Sequence, residues 1–290
     1  MHLTFRALHP TFTAEAGPVD LRKVSEPDAL EQIRAGMDRH AVLVFRDQAL
    51  SGAEQMHFAQ RLDGELHAKT GASVIAKNRF GNEALTDISN VDEDGQLLRS
   101  DDRRRQYGLA NRLWHTDASF QDPPGRYSML FAVVLPQVAA DTQFADMRAA
   151  YDALPDDTKA QIDGLRAHHS IAHSRQLLGF EFSAREQEIL KGAVHPLVRT
   201  LPYGRKSLYL ASHASSIEGW PLPEARLLLG ELTEHATQPH FVYRHSWRLG
   251  DLVIWDNRAT MHRATTFDDA KHRRELRRVT TLDIATPVQR

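Results

Sequence analysis

The chain has 290 residues, 41% of them hydrophobic and 26% charged, which excludes a mainly disordered or collagen-like protein and allows a sizeable core. Lys+Arg 36 against Asp+Glu 38 leaves a net charge of -2, so there is no global field for drawing in nucleic acid or an anionic membrane. With no cysteine, disulfides, iron-sulfur clusters and thiolate zinc sites are excluded, and any metal must rest on His, Asp or Glu.

The start, MHLTFRALHPTF, lacks a basic segment followed by an apolar region, so it does not read as a secretory signal. Ser25-Glu26-Pro27 precedes Leu30, Ile33 and Met37, a helix start with proline in its first turn and one apolar face. Ala41 to Phe45 reads as a buried strand, and Ser51 with Glu54 matches a capping box that opens a second helix through Met56, Ala59 and Leu62. Lys69 to Gln106 is polar and shows little periodicity; it reads as a long mobile loop, serving as either a lid or a linker.

Ser128 to Leu135 predicts a strongly apolar strand, Asp146 to Arg166 is mostly helical, and Pro223 opens a helix ending near Thr237. The longest apolar run, Met129 to Leu135, has seven residues where a membrane-spanning helix needs about twenty. Phe241, Tyr243, His245 and Trp247 alternate with polar or smaller residues before Leu249-Gly250-Asp251 and the run Leu252 to Trp255, which predicts a hairpin. Leu276 to Ile284 adds a last strand. The expectation is one β-rich domain over residues 1–290 with added helices, soluble, cytoplasmic and without nucleic-acid or membrane partners; a homo-oligomer stays open.

Sixteen histidines make any single one uninformative. A His and a carboxylate two residues apart in extended chain project to the same side and can share one metal ion. His115-Thr116-Asp117 is the sole His-x-Asp/Glu in the sequence, against roughly two expected by chance, so its context carries the weight. That context is WHTDASF, with an aromatic residue at each end, and WDNRATMHRA, where His262 follows a strand exit. Two histidines and one carboxylate can hold an iron on one face and leave the opposite positions open, although a structural histidine at each place fits the spacing equally well.

In the tail RRELRRVTTLD, strand alternation puts Arg274, Leu276, Arg278, Thr280 and Leu282 on one face. Two arginines among leucines suit an anion pocket, with internal pairing to Asp or Glu as the alternative.

Together these segments resemble the Fe(II)/2-oxoglutarate-dependent dioxygenases of the taurine and 2,4-dichlorophenoxyacetate dioxygenase group. The resemblance runs through VLVFRDQ, DISN, WHTDASF, RYSMLFAVVLP, DTQFADMRAAYDALP, HPLVRT, HATQPHFVYRHSWRLGDLVIWDNR and RRELRRVTTLD, nearly the whole chain. It implies a double-stranded β-helix, or jelly roll, with Fe(II) held by His115, Asp117 and His262. It also implies that Arg274 and Thr142 hold the distal carboxylate of the cosubstrate 2-oxoglutarate and that Arg278 faces a substrate acid group, dioxygen being the second cosubstrate.

The implied reaction hydroxylates a small carboxylate, first an aryloxyacetate such as 2,4-dichlorophenoxyacetate, with ether cleavage to a phenol and glyoxylate. Taurine or another alkylsulfonate or organic acid is the alternative within the family. From other classes, a zinc-dependent hydrolase and a non-catalytic jelly-roll binding protein remain. His67, Lys69, Asn111 and His213 are candidates for the substrate pocket. The sequence departs from the aryloxyacetate pattern at Ala140, where glycine is frequent, at Leu201 and Ser216, where histidine is, and in the loop from His67 to Ala72, where the matching lysine is missing although Lys69 is near.

Overall fold

The structure, a computed structural model, describes residues 2–68, 75 and 78–284. Strands β1 (Thr4–Ala7) and β2 (Ala14–Gly17) pair antiparallel, and β2 lies parallel to β3 (Val42–Phe45). Between them runs α1 (Pro27–His40), whose Leu30, Ile33 and Met37 are buried as the i, i+3, i+7 spacing requires. The expected capping box is present at α2 (Gly52–Asp63), with Ser51 Oγ accepting from the Glu54 amide and the Glu54 carboxylate accepting from the Ser51 amide.

The chain continues through β4 (Thr86–Ser89), α3 (Arg103–Gly108), β5 (Gly125–Val134) and β6 (Thr142–Asp146). The predicted helical stretch after β6 divides into α4 (Met147–Asp152) and α5 (Asp156–Ile162), because Pro155 cannot continue a helix, and gives way at Arg166 to β7 (Arg166–His169). Then come α6 (Ile171–Gln176), α7 (Ala184–Ile189), β8 (Ala193–Pro196), β9 (Val198–Thr200), β10 (Lys206–Leu208), β11 (Ala214–Ile217) and α8 (Leu222–Ala236). The end is all strand: β12 (Val242–His245), β13 (Leu252–Asp256), β14 (Thr260–Ala264) and β15 (Glu275–Leu282). Among the described residues no helix is long and apolar enough to cross a membrane.

Seven strands form the major sheet in the order β1-β2-β3-β13-β5-β15-β4, and three form a minor sheet in the order β12-β6-β14. The period of two sorts each strand of the major sheet. Val42, Val44, Leu130, Val253 and Trp255 face Phe144 of the minor sheet, while Leu43, Phe45, Met129, Ile254 and Val279 pack under α1 and α2. The outer face of the minor sheet, at Ala145 and Met261, is covered by α4 and α8. This is the jelly roll, with helices inserted between strands.

Two expectations are corrected. The segment from Phe241 to Trp255 is no hairpin: β12 pairs with β6 in the minor sheet, whereas β13 pairs with β3 and β5 in the major sheet. The turn between them carries the chain from one sheet to the other. Buried Asp251 pins that crossing by accepting from the Arg248 amide, from His245 Nε2 and from Arg46. Alternation along a strand reports its faces but not its partner, which is why the pattern was misread.

The described part of Lys69 to Gln106 is also more ordered than a structureless loop. β4 pairs with β15 at the sheet edge, and Arg79 bridges Asp87 and Glu275 across that pair. Its alternation is hidden because the edge is held by ion pairs and short polar residues rather than by apolar ones.

At the sheet crossing Gly250 has φ +78, and a Cβ there would lie 2.8 Å from the Gln48 carbonyl oxygen. Gly250→Ala is therefore expected to lower stability by about 1–2 kcal/mol or more, from the left-handed backbone plus the contact. A reduced denaturant midpoint at unchanged slope would show it.

Candidate active site

His115 and His262 come from distant parts of the chain and meet through two backbone hydrogen bonds, the His115 amide to the His262 carbonyl at 3.0 Å and the reverse at 2.8 Å. That isolated bridge sets the two rings against one another, tilted by 46° with centroids 4.1 Å apart. Asp117, two residues on, points the same way, so one donor atom of each residue lies within 4.8 Å of the others, and all three residues are buried. His115 Nδ1 sits 2.8 Å from the Leu113 carbonyl and donates to it, which leaves the Nε2 lone pair, 3.9 Å from Asp117, free to bind. His262 Nε2 lies 3.7 Å from the other carboxylate oxygen.

The aspartate is held at several atoms. Asn257 Oδ1 accepts both from the Asp117 amide and from the Trp255 indole, each at 3.0 Å, so the WDN segment grips the loop that carries the carboxylate. Asn257 Nδ2 donates to Ser128 Oγ, and Ser128 donates at 2.8 Å to Asp117 Oδ2. Arg278 donates to Oδ1. Burial works to raise the Asp117 pKa, but Arg278 above all, with the Ser128 hydroxyl, works against it, and the carboxyl lies at about 2. Burial pushes His115 down to about 4, against the pull of Asp117, and His262 well below its ordinary value. An ionised carboxylate beside two neutral imidazoles, with one lone pair of His115 freed by its other nitrogen, is a donor set that fits a divalent iron.

Beside this group opens a cavity of about 250 Å³. Of the residues singled out in the sequence, His67, Asn111, His213, Arg274 and Arg278 all line it; Lys69 lies outside the described residues. Arg274 is buried with Nε and one Nη lacking partners, and burial pulls its pKa down to about 10, as for a guanidinium awaiting an anion. Its alternative reading, pairing with an internal acid, is not met among the described salt bridges.

Thr142 is buried at the head of β6 and paired to Ala264 on the cavity wall, but its Oγ1 accepts from the Trp247 indole and it is not itself among the described wall residues. The departures at Leu201 and Ser216 also lie off the wall: Leu201 packs on Ala41 and Ala259, and Ser216 sits in β11. Four residues escaped the sequence reading, namely Ser128, Asn257, Tyr107 and Arg175. Asn257 left a signal, since it lies in the WDNR segment that precedes His262.

The model of the taurine catabolism dioxygenase TauD, TfdA family matches residues 4–280. The chain belongs to this family. It is 47% identical over 284 residues to the alpha-ketoglutarate-dependent 2,4-dichlorophenoxyacetate dioxygenase of Burkholderia sp. (strain RASC), covering 97% of this chain and 95% of that one. The enzyme of the same name from Cupriavidus pinatubonensis is also 47% identical, over 98% of this chain and 99% of its own. Among solved structures, AAD-2 in complex with Mn(II) and N-oxalylglycine superposes with a TM-score of 0.89 at 42% identity, over 100% of both chains. As a member of this family the chain is a non-haem iron dioxygenase that uses 2-oxoglutarate and dioxygen, which sets aside the zinc hydrolase and the non-catalytic binding protein.

Asn257→Ala would leave the Asp117 amide and the Trp255 indole without their acceptor. It is expected to weaken Mn(II) or Fe(II) binding by about 10–100-fold, as removing a group that orients a ligand does, with secondary structure retained by circular dichroism. Titration of the metal-free variant with Mn(II) checks this.

Proposed function

We propose that the protein hydroxylates an aryloxyacetate, such as 2,4-dichlorophenoxyacetate, on the carbon beside the ether oxygen. The resulting hemiacetal collapses to a phenol and glyoxylate. The observation that carries this reading is the placement of Arg274 and Arg278 on one cavity wall beside the His115, Asp117 and His262 group, which provides separate cations for a cosubstrate and a substrate acid. Near full-length likeness to two 2,4-dichlorophenoxyacetate dioxygenases supports the aryl ether over a sulfonate.

In this reading His115, Asp117 and His262 hold Fe(II). Bound there, the metal supplies the coupling of 2-oxoglutarate decarboxylation, to succinate and carbon dioxide, with substrate hydroxylation. Arg274, assisted by Thr142, orients the distal carboxylate of 2-oxoglutarate. Arg278 orients the substrate acid group, exchanging or sharing the contact it makes with Asp117. Phe120 and His213, edge to face at 5.1 Å, present an aromatic surface to the aryl ring, and burial keeps His213 neutral. Placing the reacting carbon and excluding water are the protein's share of catalysis.

Succinate release stimulated by 2,4-dichlorophenoxyacetate but not by taurine is the direct test; stimulation by taurine alone would overturn the substrate reading. His115→Ala, Asp117→Ala and His262→Ala are each expected to abolish turnover and Mn(II) binding while leaving the fold largely intact. Near-normal Mn(II) affinity in any of them would remove that residue from the site.

Arg274→Ala is expected to weaken 2-oxoglutarate binding by about 2–5 kcal/mol, the range for truncating one member of a buried charge pair. Thr142→Ala should weaken it less, by about 0.5–1.5 kcal/mol. Anaerobic titration of the metal-loaded variants gives both values, and equal binding in both would show that the cosubstrate sits elsewhere.

A further inference from the structure

The cavity wall carries a second guanidinium that, like Arg274, makes no ion pair among the described residues. Arg175, on α6, is 4% exposed and lies on the wall with Arg278, Asn111, Tyr107 and His213. Its partners are neutral: Nη1 donates to Ser174 Oγ at 3.0 Å, Nη2 donates to Asn111 Oδ1 at 3.3 Å, and its face lies 4.4 Å over the Tyr107 ring. Nε has no partner. The other arginines of the wall differ, for Arg79 pairs with Asp87 and Glu275, Arg104 with Asp102, and both Arg105 and Arg112 with Asp269.

Charge balance gives this meaning. Buried Arg175 and Arg274 and half-buried Arg278 have one ion-pair partner among the described residues, Asp117, which leaves an excess of two positive charges. Asp141, which acts on Arg274 without an ion pair, is itself paired with Arg244. A divalent metal and dianionic 2-oxoglutarate cancel one another, so the excess remains after both are bound. A buried cation without a counter-ion is unfavourable, and a bound monoanion relieves it. Arg278 is paired with Asp117, whereas Arg175 makes no ion pair among the described residues; it feels the attraction of Asp117 without contact and is repelled by Arg278.

We infer that Arg175 is a second carboxylate-binding residue, which with Arg278 holds the acid group of the substrate from two sides. Stacking on Tyr107 and the bond to Asn111 fix the plane of its fork, and a fixed fork suits a planar carboxylate. Ser174, which also meets His213 Nδ1 at 2.9 Å, ties this cation to the aromatic surface beside the aryl ring. The assignment rests on the aryloxyacetate reading. It explains why Asn111 and His213, both picked out in the sequence, converge on one arginine that was not.

The test measures binding of 2,4-dichlorophenoxyacetate and of its neutral amide to the Mn(II)- and 2-oxoglutarate-loaded protein by calorimetry, in the parent, Arg175→Gln, Arg175→Lys and Arg278→Gln. Arg175→Gln is expected to lose about 10–100-fold in affinity for the acid, the range for a hydrogen bond to a charged group, with amide affinity changed less than about threefold. Arg175→Lys should fall between, because it keeps the charge and loses the fork. Affinity for 2-oxoglutarate should stay within about threefold of the parent in both Arg175 variants.

Equal losses for acid and amide, or no loss for the acid, would make Arg175 a packing bridge between α6 and α3 and overturn the inference. Should Arg175→Gln not fold, the acid-selective loss in Arg175→Lys decides by the same criterion. A parent that binds the amide as well as the acid, or binds neither, overturns the aryloxyacetate reading itself. Acid selectivity lost in Arg278→Gln but kept in both Arg175 variants overturns only the role of Arg175.

Discussion

The whole site depends on two backbone hydrogen bonds between His115 and His262. They join a loop that precedes β5 to the minor-sheet strand β14, and so bring together residues 147 positions apart in the chain. Every other element serves to hold that bridge. The minor sheet fixes β14 through β6, the major sheet fixes Ser128 and Arg278 through β5 and β15, and Asn257 at the exit of β13 ties the Asp117 amide to both. Buried polar groups of this kind are favourable only when every partner is present, which makes the site as sensitive to its supports as to its ligands.

Electrostatics then separates the roles. Asp117 stays ionised in a buried place because Arg278, with the Ser128 hydroxyl, offsets the loss of water, while burial keeps both histidines neutral. Those are the protonation states a hard divalent metal needs. The cations of the wall divide in the same way. Four arginines are paired with acids away from His115, Asp117 and His262, Arg278 is paired with Asp117 itself, and Arg175 and Arg274 make no ion pair among the described residues. A cavity built so is selective for anions before any shape is considered, and it agrees with a chain whose net charge provides no long-range attraction.

The jelly roll puts this cavity at one end of the space between its sheets. Apolar residues such as Phe144, Trp255 and Leu276 fill the space behind it, and Trp255 also lies 4.5 Å from the His262 ring. The edge strand β4 and helices α3 and α6, which carry little apolar surface, close the opening.

The sequence alone determined the elements whose signals are local. Pro27 and the apolar spacing of α1, the Ser51 and Glu54 box of α2, the apolar run of β5, the alternation of β15, and the sole His-x-Asp were legible because each depends on residues a few positions apart. His262, Arg274 and Arg278 became legible through family resemblance rather than spacing. What only the tertiary structure decided was pairing across distance. A period of two gives the faces of a strand but no neighbour, so β12 and β13 read as one hairpin although they lie in different sheets. The β4 edge, secured by Arg79 between nearby Asp87 and distant Glu275, left no apolar pattern to read. Arg175 likewise looks like any short-helix arginine until the fold buries it against Tyr107 and Asn111, because whether a charge has a counter-ion is a property of the space around it and not of the residues beside it.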